Sequence, residues 1–306
     1  MGLFKKSSVN QDLITLVRAF DNDEEWAQKK INELWDNNQI TTLDFDRARI
    51  IIYEAAAKRG DKKAQYWLGH ALQKTNPQES FKWLLGLARE KDIEAIKCLA
   101  KGYCSIGGYG EDWDKELYWQ LEAAKLGDAE AQYKAARLYQ LKKEYGDAWE
   151  WFKKAADQGY NKGTIGLAEL LIRRGEQYIY DADQKYQYDY INPAYQKEQA
   201  EAKAKCAESC VAAEGLLLGI IKEGFLYEDG AKALDMLGDL YRRNLVYDSE
   251  PKYELAVQYY YMAMLYDEDD DLISEKKMSD LIAREHLVIS PEQFAQWKQK
   301  AFRGIK

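Results

Sequence analysis

Histidine and cysteine, which carry much of the nucleophilic and metal chemistry of proteins, are scarce in this sequence. Two histidines and four cysteines occur in 306 residues: His70, His286, Cys98, Cys104, Cys206 and Cys210. Two histidines are too few for a multi-histidine metal site, and they supply few parts for a His-dependent triad. Neither cysteine pair has the CxxC spacing. We therefore expect small buried thiols in a reducing compartment, with a redox or metal role as the alternative, and no cofactor.

Catalytic sequence motifs are also missing. The chain contains no GxSxG, no GxxxxGK[ST] and no HExxH. Gly107, Gly108 and Gly110 could suggest a phosphate loop, but no strand is predicted before them. The 52 acidic residues make any single carboxylate pair uninformative. These observations predict a protein that is not an enzyme.

Composition and charge narrow the class of protein further. Four prolines, 23 tyrosines and 9 tryptophans favour helices over a turn-rich β fold. The net charge of −8 opposes binding to phosphate backbones and suits either a basic partner or solubility alone. No apolar run approaches the roughly 18 residues of a membrane span, and no secretory signal is visible. We expect a cytoplasmic protein that binds neither nucleic acid nor membrane.

The elements that would position any site are revealed by an internal repeat. Five segments align when Ala64, Ala95, Ala131, Gly163 and Ala233 are taken as equivalent. Four residues later stand Leu68, Leu99, Ala135, Leu167 and Leu237, and the next column is always small: Gly69, Ala100, Ala136, Ala168 and Gly238. Eight residues after the start stand Leu72, Tyr103, Tyr139, Leu171 and Tyr241. Positions 0, 4 and 8 lie on one face and predict a helix, here called helix A. The small column should let a neighbouring helix approach it closely.

A second helix, helix B, is predicted after helix A in each repeat. Trp83, Trp119 and Trp151 occupy equivalent positions in helix B and should pack back on helix A. Gly127 and Gly159 follow helix B as C-caps, where glycine adopts a left-handed backbone most easily. A period in the low-to-mid thirties indicates stacked helical hairpins.

This pattern resembles the Sel1-like repeat family, which is related to tetratricopeptide repeats. Tyr103, Asp112, Lys115, Trp119 and Gly127 follow the family pattern in one copy, and Trp151, Lys154 and Gly159 follow it in the next. The resemblance implies an all-α, right-handed α-solenoid of antiparallel helix-turn-helix repeats that binds other proteins, usually without catalysis. Cysteines that would staple each hairpin, as in many secreted members, are not arranged here in that way.

The repeats divide the chain into four predicted parts. Residues 1–50 form an N-terminal helical cap, and residues 51–175 contain the well-matched repeats. Residues 176–224 form an enlarged, degenerate repeat with a tyrosine-rich insertion. Residues 225–306 form a degenerate repeat followed by a C-terminal helical cap, whose helix begins at the capping box Ser290-Pro291-Glu292-Gln293.

Two irregular stretches interrupt the pattern. Residues 176–195 are predicted to form a long connection between helices, closed by Asn192-Pro193, and they carry five candidate binding tyrosines: Tyr178, Tyr180, Tyr186, Tyr188 and Tyr190. These rings either pack an extended hairpin or form a binding surface. The acidic run Asp267 to Asp271 lacks the layout of a calcium loop; we expect a solvated loop, with docking of a basic partner or binding of a cation as the alternative.

Two columns of helix A that vary between repeats are the predicted location of the binding residues. The residues two after each repeat start are Tyr66, Lys97, Tyr133, Ile165 and Asp235, and those six after it are His70, Lys101, Arg137, Glu169 and Asp239. Because these columns change chemistry between repeats, we expect them to face solvent. They form, with the tyrosine insertion, the predicted partner surface; simple exposure is the alternative.

The resemblance and the charge together give the functional expectation. We expect a non-catalytic scaffold, monomeric when unbound, that binds another protein. One concrete form is a bacterial immunity protein that binds a basic toxin domain. The alternatives are a cytoplasmic adaptor in signalling or envelope regulation and, in a different class, a hydrolase.

Overall fold

The computed structural model describes residues 11–105, 107–186, 191–222, 228–245, 252–266 and 272–303. This part of the chain contains helices and no strand. The helices are α1 Gln11–Phe20, α2 Glu25–Asp36, α3 Thr42–Lys58, α4 Lys62–Leu72, α5 Pro77–Arg89, α6 Ile93–Gly102, α7 Trp113–Lys125, α8 Ala129–Leu141, α9 Tyr145–Ala156, α10 Asn161–Tyr186, α11 Pro193–Lys222, α12 Glu228–Arg242, α13 Tyr253–Met264, α14 Leu272–Arg284 and α15 Pro291–Arg303. The prediction of an all-α fold built from helix pairs is confirmed.

The chain forms two compact units, and the boundary between them in the sequence falls within α8. The first unit ends at Leu138 and the second begins at Tyr139. The predicted boundaries at residues 50, 175 and 224 concern repeats rather than compact units, and they stay predictions.

Three of the five helices A begin in the same way because an aspartate precedes them. The carboxylates of Asp61, Asp92 and Asp128 accept hydrogen bonds from the backbone N–H groups of the three repeat starts, at 2.8, 2.9 and 2.7 Å. These bonds satisfy N–H groups that have no partner within the helix. The residue before each aspartate has a left-handed backbone, with φ of 97° at Gly127. The predicted glycine C-caps are confirmed.

The first unit buries the predicted stripes of helix A against helix B. Ala64, Leu68 and Leu72 of α4 form one buried cluster, against which Trp83 of α5 packs. Trp119 of α7 packs in the same way on the cluster that contains Leu99 of α6. A further cluster joins α1, α2 and α3 at the N-terminal end.

The second unit has one larger core. It runs from Ile165 of α10 through α11, α12 and α13 to Leu281 of α14 and Ala301 of α15. The capping box is confirmed: Gln293 N–H donates to Ser290 Oγ at 3.2 Å, and Ser290 N–H donates to Gln293 Oε1 at 2.8 Å. The helix that it starts packs on α13, where the rings of Phe294 and Tyr261 lie 4.9 Å apart.

The column of small residues in helix A was predicted to let a neighbouring helix approach closely, and Gly238 shows this. At Gly238 of α12, a Cβ atom would lie 2.5 Å from Cε1 of Tyr260, a fully buried ring on α13. No carbon atom fits at that distance, so glycine sets the separation of these two helices.

The predicted long connection after residue 175 is wrong over most of its length. Residues 176–186 continue α10, which is 26 residues long, and they pair with α11 as a long antiparallel hairpin. No proline interrupts the chain from Asn161 until Pro193, and Pro193 occupies the first position of α11. The Asn192 side chain accepts a hydrogen bond from Ala194 N–H at 2.9 Å, so the predicted end of the connection is confirmed.

Candidate partner-binding surfaces

The variable columns of helix A are half-buried, which corrects the prediction that they face solvent. Lys101 is their one exposed member and Ile165 is buried, while the others are intermediate. Tyr133 and Arg137 are both half-buried on α8. Most of the remaining members make contacts within the protein.

In the first unit, His70 belongs to a buried cluster around Arg49 of α3. The guanidinium of Arg49 forms an ion pair with Asp21 at 2.6 Å and lies 4.0 Å above the ring of Trp67. Its Nη1 faces His70 Nδ1 at 3.4 Å. Burial, Arg49 and Lys101 lower the pKa of His70 to about 4. The imidazole is therefore neutral at pH 7 and accepts from Arg49.

A cleft of about 290 Å³ opens beside this cluster. His70 and Lys101 line it, with Trp35, Asp46 and Lys74. Burial raises the pKa of Asp46 against the opposing pull of Arg49 and Lys74. The cleft thus joins two of the candidate residues, but His70 already uses one ring nitrogen on Arg49 and is a weak base with its lowered pKa.

Lys97 forms ion pairs between two successive repeats. Its Nζ lies 2.7 Å from Glu130 and 3.4 Å from Asp128 of the next repeat, and 3.4 Å from Glu94 on its own helix. Burial opposes the charged form, but the hydrogen bond with Glu130 and the nearby carboxylates outweigh it and raise the pKa of Lys97.

The acidic members of the columns in the second unit are also paired. Lys277 of α14 lies 2.6 Å from Asp235 and 2.9 Å from Asp239. Tyr260 donates a further hydrogen bond to Asp239 at 2.6 Å. Glu169 pairs with Lys232 at 2.8 Å. These carboxylates therefore link α10, α12, α13 and α14.

The tyrosine insertion is divided between packing and surface. Tyr195 is buried and donates to Asp183 at 2.7 Å across the α10–α11 hairpin. Tyr180 is 55% exposed, and Tyr178 is half-buried on the same helix. Tyr186 ends α10. Tyr188, Tyr190 and the acidic run from Asp267 to Asp271 lie outside the described residues.

A groove between α9 and α10 is the surface that the sequence did not identify. Its volume is about 550 Å³, and Tyr145, Trp149, Leu170, Arg173 and Arg174 line it. Arg173 lies 4.6 Å above the ring of Tyr145, and Arg174 Nε donates to Tyr178 at 2.8 Å. Both arginines are exposed. The Arg173-Arg174 pair and the aromatic residues of helix B were the available signals.

The described residues offer little metal or membrane chemistry. They contain no cluster of three or more His, Cys, Asp or Glu side chains suited to a metal ion. The prediction that the cysteines are buried holds for Cys98, Cys206 and Cys210, whereas Cys104 is half-buried. The Sγ atoms of Cys206 and Cys210 lie 4.0 Å apart. None of the described helices is both long and apolar enough to span a membrane.

Comparison with solved structures supports the repeat at the level of fold. A protective antigen present in uropathogenic Escherichia coli strains, which displays an SLR fold, matches with a TM-score of 0.57 at 19% identity. The match covers 95% of this chain and 56% of the antigen, so this chain spans little more than half of that protein. A Sel1 repeat protein from Oxalobacter formigenes has a TM-score of 0.49 at 16% identity, with 95% and 97% coverage.

Comparison by sequence adds nothing to this. No protein-family model matches the chain, and no curated protein matches it significantly. The fold is that of Sel1-like repeat proteins, and the predicted resemblance is confirmed to that extent.

Proposed function

We propose that this chain is a non-catalytic scaffold that binds another protein. The open groove between α9 and α10 carries the proposal, because half-buried aromatic rings line it beside two exposed arginines. Aromatic and arginine side chains are the residue types most enriched at the centre of protein interfaces. A fold of stacked helix pairs presents such a surface without needing to move.

Hydrolysis, the alternative from a different class, has weaker support. A general base works best when its pKa lies near the working pH. His70 has a pKa of about 4 and faces a permanent cation at Nδ1, so it fits a packing role better than proton transfer.

Within the binding class, we propose an immunity protein that binds a basic toxin domain in the cytoplasm, as a monomer when unbound. The net charge of −8 supports this form. Asp235 and Asp239 add little to that support, because Lys277 and Arg242 pair with them inside the protein. The adaptor role stays as the alternative, and a toxin gene beside the gene for this chain would favour immunity.

Affinity capture from native lysate tests the binding function. The full chain is immobilised, and an unrelated acidic protein of similar size is the control bait. We expect a specific protein to be retained at about 50 mM salt, and its loss at about 500 mM would indicate docking through charge. If the full chain retains nothing beyond the control bait at either salt concentration, the proposal fails.

A further inference from the structure

The α9–α10 groove has a counterpart in the first unit, a groove of about 480 Å³ in which a ring of the protein itself packs on the helix B aromatic residue. Trp149 of α9 and Phe81 of α5 both precede the repeat tryptophan by two residues, at Trp151 and Trp83. Helix A of the following repeat forms the other wall in each case, which is α10 beside α9 and α6 beside α5. The two grooves are therefore the same feature of the repeat.

In the α5–α6 groove, the ring of Tyr109 packs against the helix B aromatic. The rings of Tyr109 and Phe81 lie 5.8 Å apart with their planes at 81°. The Tyr109 hydroxyl lies 2.7 Å from Ser80 Oγ. Gly102, the last residue of α6, makes room for the ring, because a Cβ atom there would overlap it. In this repeat an aromatic side chain thus packs on the helix B aromatic residue and forms part of the groove lining.

The chain cannot supply such a ring to the α9–α10 groove in the same way. After α6 ends at Gly102, the chain turns back and brings Tyr109 to Phe81. At the equivalent position α10 continues as a helix through Leu170 to Tyr186. Leu170 forms an apolar wall where Gly102 stands in the other repeat, and Trp149 remains on the lining of an open groove.

Continuation of α10 also places two cations at this groove. Arg173 and Arg174 make contacts with the rings of Tyr145 and Tyr178, and neither forms an ion pair with a described residue. Lys97 and Lys277, in contrast, each pair with carboxylates. In a chain of net charge −8, two exposed guanidinium groups that lie beside aromatic rings and pair with no carboxylate of the described residues form a local site for carboxylates.

We propose that the α9–α10 groove binds an acidic segment of a partner protein. One aromatic side chain of the segment packs against Trp149 and Leu170, as Tyr109 packs against Phe81, and flanking carboxylates pair with Arg173 and Arg174. This inference rests on the proposed binding function and adds the chemistry of the bound segment. Only the bound segment needs to be acidic; the partner protein as a whole can still carry a net positive charge.

A peptide titration tests the proposal. The probe is a fluorescein-labelled peptide, Gly-Ser-Glu-Asp-Phe-Asp-Glu-Ser-Gly, titrated with the full-length protein and followed by fluorescence anisotropy. We expect saturable binding, weakened about tenfold or more in the double variant R173Q/R174Q. Both arginines are exposed, so this variant should fold, and circular dichroism checks it. Arg89→Gln is the matched control, since Arg89 is exposed on α5 away from the groove.

Two altered probes separate the aromatic and acidic contributions. A peptide with alanine in place of phenylalanine, and one with glutamine and asparagine in place of the acids, should each bind about tenfold more weakly or worse. Equal binding of all three peptides, or an unchanged affinity in R173Q/R174Q, would overturn the proposal. So would a (dT)₉ oligonucleotide that displaces the peptide at comparable concentration, because the groove would then select polyanions with stacking rings. If lysate capture still succeeds, the binding function survives and only this site is lost.

Discussion

At the scale of single residues, most charged side chains of the variable columns serve to hold the fold together. His70, the uncharged member of one column, has a similar role: it faces Arg49 and meets Trp67 edge-to-face, with ring centroids 6.2 Å apart. Arg49 is itself buried and is neutralised by Asp21. A buried cation can be tolerated only with such a partner, so the cluster depends on His70 staying uncharged.

Stability of the first unit should therefore fall in mild acid. In the unfolded chain His70 takes up a proton near pH 6.5, whereas in the folded protein it does so only near pH 4. The unfolded state binds more protons between these values, so stability is lost as the pH drops through them. From pH 7 to pH 5 this amounts to about 2 kcal/mol.

Urea unfolding of the wild-type protein and of His70→Gln at pH 7 and pH 5 measures this contribution. The variant keeps an acceptor for Arg49 and should lose about 2 kcal/mol less than the wild type on acidification. His286→Asn is the control, because asparagine tolerates the positive φ of 51° at that position. The assignment is wrong if both variants lose as much stability as the wild type.

At the scale of elements, small residues set how closely the helices pack. Gly238 allows α12 and α13 to meet at the ring of Tyr260. That ring cannot shift easily, because its hydroxyl donates to Asp239 at 2.6 Å and accepts from Arg242 at 3.1 Å. The close approach therefore depends on the absence of a Cβ atom at Gly238.

Gly238→Ala should destabilise the second unit by about 1–3 kcal/mol, since the added methyl group overlaps a fixed ring. Gly219→Ala on α11 is the matched control, because a Cβ atom there meets nothing within 4 Å. The control should be neutral or more stable by up to about 1 kcal/mol, as expected for glycine replaced in a helix. Thermal unfolding of both variants decides the matter, and equal effects would contradict the packing argument.

The elements also show which parts of the structure the sequence could predict. The helix A stripe, the small column and the Gly127 cap were predictable because each depends on residues within one or two turns. The continuation of α10 was missed because tyrosine and aspartate resemble loop composition, although no proline interrupts the helix.

The role of the variable columns could not be predicted for a different reason. Their chemistry changes between repeats, which suggests freedom to face solvent. Their partners, however, lie far along the chain: Asp128 is 31 residues from Lys97, and Lys277 is 42 residues from Asp235. The groove was missed likewise, since it depends on the course of the chain after helix A.

At the scale of the whole molecule, the fold indicates the class of repeat, whereas the surface must indicate the partner. The fold is that of Sel1-like repeat proteins, supported by a TM-score of 0.57 to the protective antigen. A fold of this kind hosts many partners, so it does not choose between an immunity protein and an adaptor. We expect the identity of the protein bound at the α9–α10 groove to decide between them.

Site-specific photo-crosslinking in native lysate tests the central claim most directly. A benzophenone amino acid replaces Gly146, which lines the groove, or Gly215, which is exposed on α11; a Cβ atom meets nothing within 4 Å at either. We predict a discrete crosslinked protein from position 146, absent from position 215 and suppressed by R173Q/R174Q. A lysate in which the chain captures a partner but position 146 gives no more crosslink than position 215 would contradict the account.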